Sequence, residues 1–255
     1  MTGGFQPKGT KTMQKLFITD QIIDNTIILN DDQSRHIAKS LRMKTGDMLM
    51  VCDGAGTDYG CMIDEITKDS VVLSVCYKQA SKSEPSVQVS LYQGVPKGDK
   101  MEDIIQKCTE LGISRITPVL TKRSVSRPNE KQAEKKRARY QKIALEAAQQ
   151  SGRGIVPEID SMENFKDAVK NCTADVKIVF YEGGGKSIKS IVEQNKNASS
   201  FAIFIGPEGG FEKEEVDEIL NIGGINATLG ARILRTQTAP VAGLTAIMLL
   251  TGNLE

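Results

Sequence analysis

Phe201-Ala-Ile-Phe-Ile-Gly206-Pro-Glu-Gly-Gly-Phe211 decides how this chain folds. Five apolar residues in an unbroken run, Phe201 to Ile205, predict a strand buried on both faces, the usual state of a strand inside a parallel sheet. The run stops at Gly206-Pro207, and Gly209 and Gly210 then permit backbone angles and a close ligand approach that a side chain forbids. A loop of this kind at the carboxyl end of a strand is where open α/β sheets bind ligands. Alone, it reads better as a turn into the helix begun by Glu212.

A second stretch changes that reading. Leu229-Gly-Ala-Arg-Ile-Leu-Arg-Thr-Gln-Thr-Ala-Pro240 holds another short apolar strand ending in glycine. Arg232, Ile233, Leu234 and Arg235 follow, then a polar turn into a last apolar helix. Two glycine-ended strands, each followed by a loop, can wall one pocket between them. A third candidate is Glu182-Gly-Gly-Gly-Lys186-Ser187, which follows the apolar run Val176 to Tyr181. As a nucleotide P-loop it fails, because Phe180 stands where that motif needs its first glycine. It either lines the same pocket, with Tyr181 and Glu182 near the rim, or is a flexible connection.

Working outward, strands and helices alternate. Val87 to Gln93 reads as strand, Asp99 to Leu111 as helix closed by Gly112, Arg115 to Leu120 as strand and Lys131 to Gln150 as helix. Ile155 to Ile159, Val176 to Tyr181, Phe201 to Ile205 and Ala227 to Leu229 read as further strands. Met162 to Lys170, Ile188 to Lys196 and Glu214 to Asn221 are the intervening helices, and a last helix follows with Thr238 as N-cap and Pro240 in its first turn. This order predicts a mostly parallel sheet with helices on both faces, an α/β architecture.

Before it, Lys15 to Tyr77 reads mostly as strand: Leu16 to Ile18, Thr26 to Leu29, Met48 to Cys52, Tyr59 to Ile66 and Val71 to Val75. One helix, Asp32 to Leu41, interrupts them, with Asp31 as N-cap. A small β-barrel-like domain is expected. Asp53-Gly-Ala-Gly-Thr-Asp58 is mis-spaced for a dinucleotide fingerprint and reads as a hairpin loop. Lys78 to Ser86 is the candidate linker, and residues 1–12, rich in Gly, Thr and Lys, read as an extension ahead of Met13.

With 33 Lys plus Arg against 32 Asp plus Glu, no global field draws in nucleic acid. Any RNA site must be a local patch. Between Lys122 and Lys142 nine basic residues stand against two acidic ones, which is either a phosphate-binding surface or a solvated helix face. Lys97, Lys100, Arg123, Arg127 and Arg153 lie near strand ends. Arg35 and Arg42 flank the single His36, which reads as a surface or packing residue. Aromatic residues are 5% of the chain with no Trp, so recognition by shape and phosphate is expected over base stacking. Five cysteines without a C-x-x-C pair predict neither a disulfide framework nor a metal site, and a reducing cytoplasm fits best. The longest apolar stretch, Ala239 to Leu250, is too short to span a bilayer.

Gly206-Pro-Glu-Gly-Gly-Phe211 and Leu229-Gly-Ala-Arg-Ile-Leu-Arg-Thr-Gln-Thr-Ala239 together resemble the RsmE family of bacterial ribosomal RNA methyltransferases, members of the SPOUT class. Gln93-Gly-Val-Pro-Lys-Gly-Asp-Lys-Met-Glu102, Lys107-Cys-Thr-Glu-Leu-Gly112 and Glu146-Ala-Ala-Gln-Gln-Ser-Gly-Arg153 are similar to the same family in the same order. The likeness runs from Met13 onward. One position departs: Gln237 stands where the family usually has Glu, which leaves an acid or base role there in doubt.

The resemblance implies a PUA-like RNA-binding domain over 13–80 and a SPOUT domain over 87–255 with a deep trefoil knot. It implies S-adenosyl-L-methionine as cofactor and a homodimer interface near it on the last helix. The substrate would be N3 of a uridine in 16S ribosomal RNA, free or in the assembled small subunit. Cofactor contacts fall on Tyr181, Glu182, Gly183, Gly206, Pro207, Glu208, Gly209, Gly210, Leu229, Gly230, Ile233 and Leu234. RNA contacts fall on Arg35, Arg42, Lys97, Lys100, Arg123, Arg127 and Arg153.

Methyl transfer to uracil N3 is easier if charge on O2 and O4 is stabilised, and Arg235 is the first candidate for that work. Alternatively, it pairs with a phosphate or with a carboxylate across a subunit interface. Glu208 is a candidate base, or else a partner for the following helix dipole. A non-catalytic RNA-binding or ribosome-assembly protein on the same fold is the rival reading.

Overall fold

Every side chain from Phe201 to Ile205 is at most 3% exposed. They lie in strand β12, Ser200–Ile205, which pairs in parallel with β10, Val176–Phe180, on one side and β6, Gln88–Gly94, on the other. This computed structural model describes residues 15–18, 24–182 and 184–254. Residues 1–12 and Gly183, assigned above from sequence, lie outside them. The chain divides into two units, Met1–Lys82 and Ser83–Glu255.

In the larger unit the sheet runs β11 (Lys186–Ser187), β13 (Ile225–Thr228), β10, β12, β6, β7 (Arg115–Leu120), β8 (Glu158–Ile159), and β9 (Glu163–Asn164) also pairs with β7. Each pairing is parallel. Alternation along β12 feeds two cores, as a strand period of two requires. Phe201, Ile203 and Ile205 pack with α2 (Lys100–Glu110), α3 (Glu130–Ser151), α5 (Ile188–Gln194) and α7 (Thr238–Leu250). Ala202 and Phe204 face α4 (Phe165–Asn171) and α6 (Lys213–Asn221), and the Phe204 ring stacks on Tyr92 at 4.5 Å. The sheet is therefore covered on both faces, which fits its nearly unbroken apolar strands.

Among the described residues the smaller unit holds five strands in the order β1 (Lys15–Phe17), β3 (Met48–Cys52), β4 (Thr57–Ile66), β5 (Ser70–Ala80), β2 (Thr26–Asn30). Register shifts at Gly60/Cys61 and Ile63/Glu65 bend β4 and curl the sheet over Ile27, Leu29, Leu49, Val51 and Leu73. Its short helix α1, Asp31–Arg35, runs into a π turn over His36–Ser40 that buries Ile37. Asp31 thus opens the helix instead of preceding it; the capping assigned to its side chain lies outside the described residues. Asp53–Thr57 forms the expected hairpin loop, with Asp53 Oδ1 accepting from the Ala55 and Thr57 amides at 2.8 and 3.0 Å.

Several boundaries differ from expectation, among them β13, which ends at Thr228 and leaves Leu229 and Gly230 in the loop. Lys78 to Ala80 are ladder-paired with Thr57 to Tyr59, so β5 consumes part of the expected linker. The strand expected over Ile155 to Ile159 keeps only Glu158–Ile159, because Glu84 Oε1 takes the Gly154 and Ile155 amides. The helix expected from Met162 begins at Phe165, since Glu163 and Asn164 pair with Val119 and Leu120. Thr238 is not an N-cap: it is the first residue of α7, and its amide bonds to Arg235 O at 2.8 Å.

Candidate active site

Strands β10, β12 and β13 are parallel neighbours, so their carboxyl ends open on one edge of the sheet. The three loops leaving them wall a single cavity of about 890 Å³. Tyr181 and Glu182 come from the first, Gly206 to Phe211 from the second, and Leu229 to Gln237 from the third. All the described residues assigned to cofactor contact from sequence line it. The β12 loop folds tightly back on itself: a Cβ on Gly206 would sit 2.8 Å from the Gly210 backbone, and Gly210 has φ +71°. Only glycine fits both places without strain.

Side chains from outside these loops hold the β12 loop down. Glu208 accepts the Lys97 amide at 3.0 Å and the Lys100 ammonium at 2.6 Å. Burial opposes its ionisation, but the Lys100 bond and the backbone donors prevail, and the carboxyl is held below the usual carboxylate range. A carboxylate so stabilised is a weak base. Glu208, the candidate base, thus ties the loop after β12 to the segment after β6. Arg123 makes a second clamp, with Nε 2.9 Å from Glu212 Oε1, Nη2 3.2 Å from Oε2 and Nη1 2.5 Å from Gly209 O.

Arg235 lines the cavity and is exposed, and among the described residues its guanidinium has no hydrogen-bond or ion-pair partner. Arg232 on the same wall is also exposed and without such a partner among the described residues, so a substrate can meet either charge. Gln237 lies two residues on, half-buried, and its Nε2 donates to Asp103 Oδ2 at 3.5 Å. No cysteine lines the cavity, and burial pushes the thiols of Cys61 and Cys108 up to about 12, so neither offers a thiolate at neutral pH.

The cations assigned to RNA separate into different classes. Lys100 lines the cavity beside Glu208, Lys97 reaches Glu208 through its backbone amide, and Arg123 is committed to Glu212 and Gly209. Arg127 donates to Thr121 O at 3.0 Å and borders a cleft of about 430 Å³ with Lys135 and Lys136. Arg35 and Arg42 are exposed in the smaller unit, Arg42 with φ 54°.

Arg153 is a correction. It is 3% exposed, its Nη2 lies 2.6 Å from Glu84 Oε2, and its Nη1 donates to Ile113 O at 2.7 Å. No phosphate can reach it. Much of the basic run is also answered from elsewhere: Lys122 by Glu214, Arg139 by Glu102, Lys142 by Glu146. Lys131, Lys135 and Lys136 remain without an ion pair among the described residues.

Sequence reading missed Phe180, Ile205 and Thr236 as cavity residues, and it missed the clamps. Local pattern carried no signal for the clamps, whose partners lie 86 to 111 residues apart.

Known proteins share this arrangement. Residues 82–248 match a family described as RNA methyltransferase domain, and residues 29–76 one described as RNA methyltransferase PUA domain. The ribosomal RNA small subunit methyltransferase E of Bacillus subtilis is 37% identical over 92% of this chain and 96% of its own, and that of Buchnera aphidicola from Acyrthosiphon pisum is 31% identical over 96% of both. A crystal structure of the Neisseria gonorrhoeae ribosomal RNA small subunit methyltransferase E bound to S-adenosyl methionine is similar at TM-score 0.83 and 27% identity, covering 93% of this chain and 98% of that one. A Legionella pneumophila structure described as a putative methyltransferase with bound SAM matches at TM-score 0.81 and 25% identity, covering 94% and 98%. With two RNA methyltransferase domains in this order and full-length relatives above 30% identity, the chain belongs to the ribosomal RNA small subunit methyltransferase E family.

Proposed function

We propose that this protein is an S-adenosyl-L-methionine-dependent 16S ribosomal RNA methyltransferase that modifies N3 of a uridine, free in the RNA or in the assembled small subunit. The observation that carries the reading is one cavity walled by three strand-end loops, with Arg235, unpaired among the described residues, at its edge.

The residues present fit the cofactor. A cavity of about 890 Å³ is of the size of small-molecule sites, about 300–1,000 Å³. Phe180, Ile205, Leu229 and Leu234 supply apolar walls, and the main chain of Gly206 to Gly210 and Leu229-Gly230 supplies polar groups. Tyr181 and Glu182 complete the rim, and Ile233, 86% exposed, is open to cover what binds. Gly183 keeps its place by sequence position. When bound, the cofactor supplies an activated methyl group on a sulfonium, and the Glu182 carboxylate suits that positive charge.

Arg235 carries the chemistry on the protein side. As N3 gives up its proton, negative charge spreads over O2 and O4, and a guanidinium beside them lowers the barrier. Glu208, Lys100 and Arg123 keep the loop shaped for this work.

Domain roles follow the same reading: 13–80 binds RNA through Arg35 and Arg42, and 87–255 binds cofactor and target. A trefoil knot is supported by the path of 229–237, which leaves β13, passes the ends of β10 and β12, and is bonded at Thr236 to Gly206 and Gln93. A homodimer through α7 is supported by its apolar surface, with Leu249 and Leu250 exposed. No described helix is long and apolar enough to cross a membrane, and no described cluster of His, Cys, Asp and Glu is suited to a metal. A cytoplasmic place fits the five free cysteines.

The test is transfer of labelled methyl to small subunits, and to naked 16S RNA, from cells lacking the modification. Label on N3 of a single uridine is expected. Label on ribose or on a base carbon would overturn the assignment of the atom.

A further inference from the structure

Gln93 lies near the end of β6 and its side-chain amide is fully buried. Its Nε2 faces three acceptors: Gly94 O at 3.0 Å, Thr236 Oγ1 at 3.0 Å and Gly206 O at 3.4 Å. Thr236, itself buried, donates its hydroxyl to the same Gly206 O at 2.8 Å. The orientation of the amide is thereby settled, since reversing it would aim Oε1 at two carbonyl oxygens. In the settled orientation Oε1 is buried with no hydrogen-bond partner among the described residues. What this side chain adds over leucine is therefore its donor alone, held at the cost of an unmet acceptor.

The three acceptors sit on three segments far apart in sequence: the end of β6, the loop after β12, and the loop before α7. The last two both line the cavity. Gly94 also seats the second loop directly, since a Cβ there would lie 2.5 Å from Pro207 Cδ. Gln93 is not in the cavity wall, so any influence on a ligand passes through Thr236 and Gly206.

We propose that Gln93 and Thr236 form a positioning relay that fixes the Gly206–Gly210 loop against the Leu229–Gln237 loop and so sets the affinity for the cofactor. The proposal rests on the reading that this cavity holds the cofactor. The relay acts by pre-organisation: a ligand gripped by two walls binds less tightly when it must itself hold the walls at the right separation.

The experiment measures S-adenosyl-L-methionine binding by calorimetry, thermal unfolding, and turnover at saturating cofactor, in the full chain. Thr236→Val removes the hydroxyl and keeps the shape, Thr236→Ser restores the hydroxyl, and Gln93→Leu removes the amide. Thr236→Val and Gln93→Leu are each expected to weaken binding about tenfold, while Thr236→Ser stays within about twofold of wild type. The double variant is expected to be no weaker than the worse single one, because both break one relay. In Gln93→Leu, whose side chain lies outside the cavity wall, turnover at saturating cofactor should return to within about threefold of wild type while the cofactor KM rises, a split that general loosening of the fold does not give.

Wild-type affinity in folded Gln93→Leu, or full additivity in the double variant, overturns the relay. If Gln93→Leu does not fold, the Thr236→Val and Thr236→Ser pair decides: equal affinities overturn it. Leu234→Arg separates the proposal from the reading beneath it. Should Leu234→Arg bind as tightly as wild type, the cavity is not the cofactor site and both fall. Should Leu234→Arg lose binding while Thr236→Val keeps it, only the relay falls.

Discussion

Arg153 Nη2 lies 2.6 Å from Glu84 Oε2, with Arg153 only 3% exposed, so an ion pair buried in the larger unit fastens residue 84 to the end of α3. Glu84 also accepts the Gly154 and Ile155 amides at 2.6 and 3.1 Å. Removing Arg153 would leave the half-buried Glu84 carboxylate without its counter-ion. Arg153→Ala should therefore cost about 3–5 kcal/mol in denaturant unfolding. A loss below about 1 kcal/mol would show that Glu84 finds water in the variant.

The same pair carries a pH dependence. Burial raises the Glu84 carboxyl, but the Arg153 bond and charge outweigh it, and the net position is below its ordinary value of 4.5. A carboxyl lowered in the folded state contributes stability that is complete above the unfolded value of 4.5 and is lost as pH falls through the lower folded value. Unfolding free energies measured from pH 7 downward should fall less steeply in Glu84→Gln than in wild type below that point. Parallel curves would mean that other carboxylates govern acid unfolding.

Arg235→Ala should lower methyl transfer by about 10²–10³-fold with cofactor affinity near wild type, because the guanidinium meets charge that develops on the target base. Calorimetry beside a single-turnover assay separates the two effects. Equal losses in both would place Arg235 on the cofactor.

Glu208→Gln keeps an acceptor for the Lys97 amide and should retain turnover within about threefold across pH 6–9, whereas removing a general base would cost about 10²–10⁴-fold. The pH–rate profile of this variant decides between clamp and base.

Lys135 and Lys136 border the cleft beside Arg127 and have no ion pair among the described residues. Changing both to Glu should weaken RNA binding and flatten its salt dependence, by about one slope unit for each phosphate no longer neutralised. Cofactor affinity should be unchanged. An unaltered salt slope would make this helix face a merely solvated one.

Gln237→Glu would set a second carboxylate beside Asp103, where Nε2 now donates at 3.5 Å. Lys107, 2.8 Å from Asp103, limits the repulsion, so a stability loss of about 0.5–1 kcal/mol and turnover within about tenfold are expected. A larger gain in turnover would make Gln237 the residue that holds this enzyme back.

Much of this molecule was legible before any coordinates. The five apolar residues from Phe201 predicted a strand buried on both faces because burial on two sides leaves no room for polar alternation, and β12 is such a strand. Gly206 and Gly210 marked the turn because no side chain fits the backbone there. Leu229-Gly230 marked a second wall for the same local reason. These are properties of a residue and its immediate neighbours along the chain.

The partners of charges and the fastening of loops came from the three-dimensional fold alone. Arg153 looked like an RNA contact and is instead locked against Glu84; Glu208 bonds to Lys100 and to the Lys97 amide, more than a hundred residues away; and three cations of the run from Lys122 to Lys142 are answered by Glu102, Glu212 and Glu214. Gln93 and Thr236, 143 residues apart, meet only because the chain returns across the strand ends after β13. Strand character follows from local sterics and apolar pattern, but a charge or a buried amide is defined by what folding brings within about 3 Å of it, and that distance is not encoded in spacing along the chain.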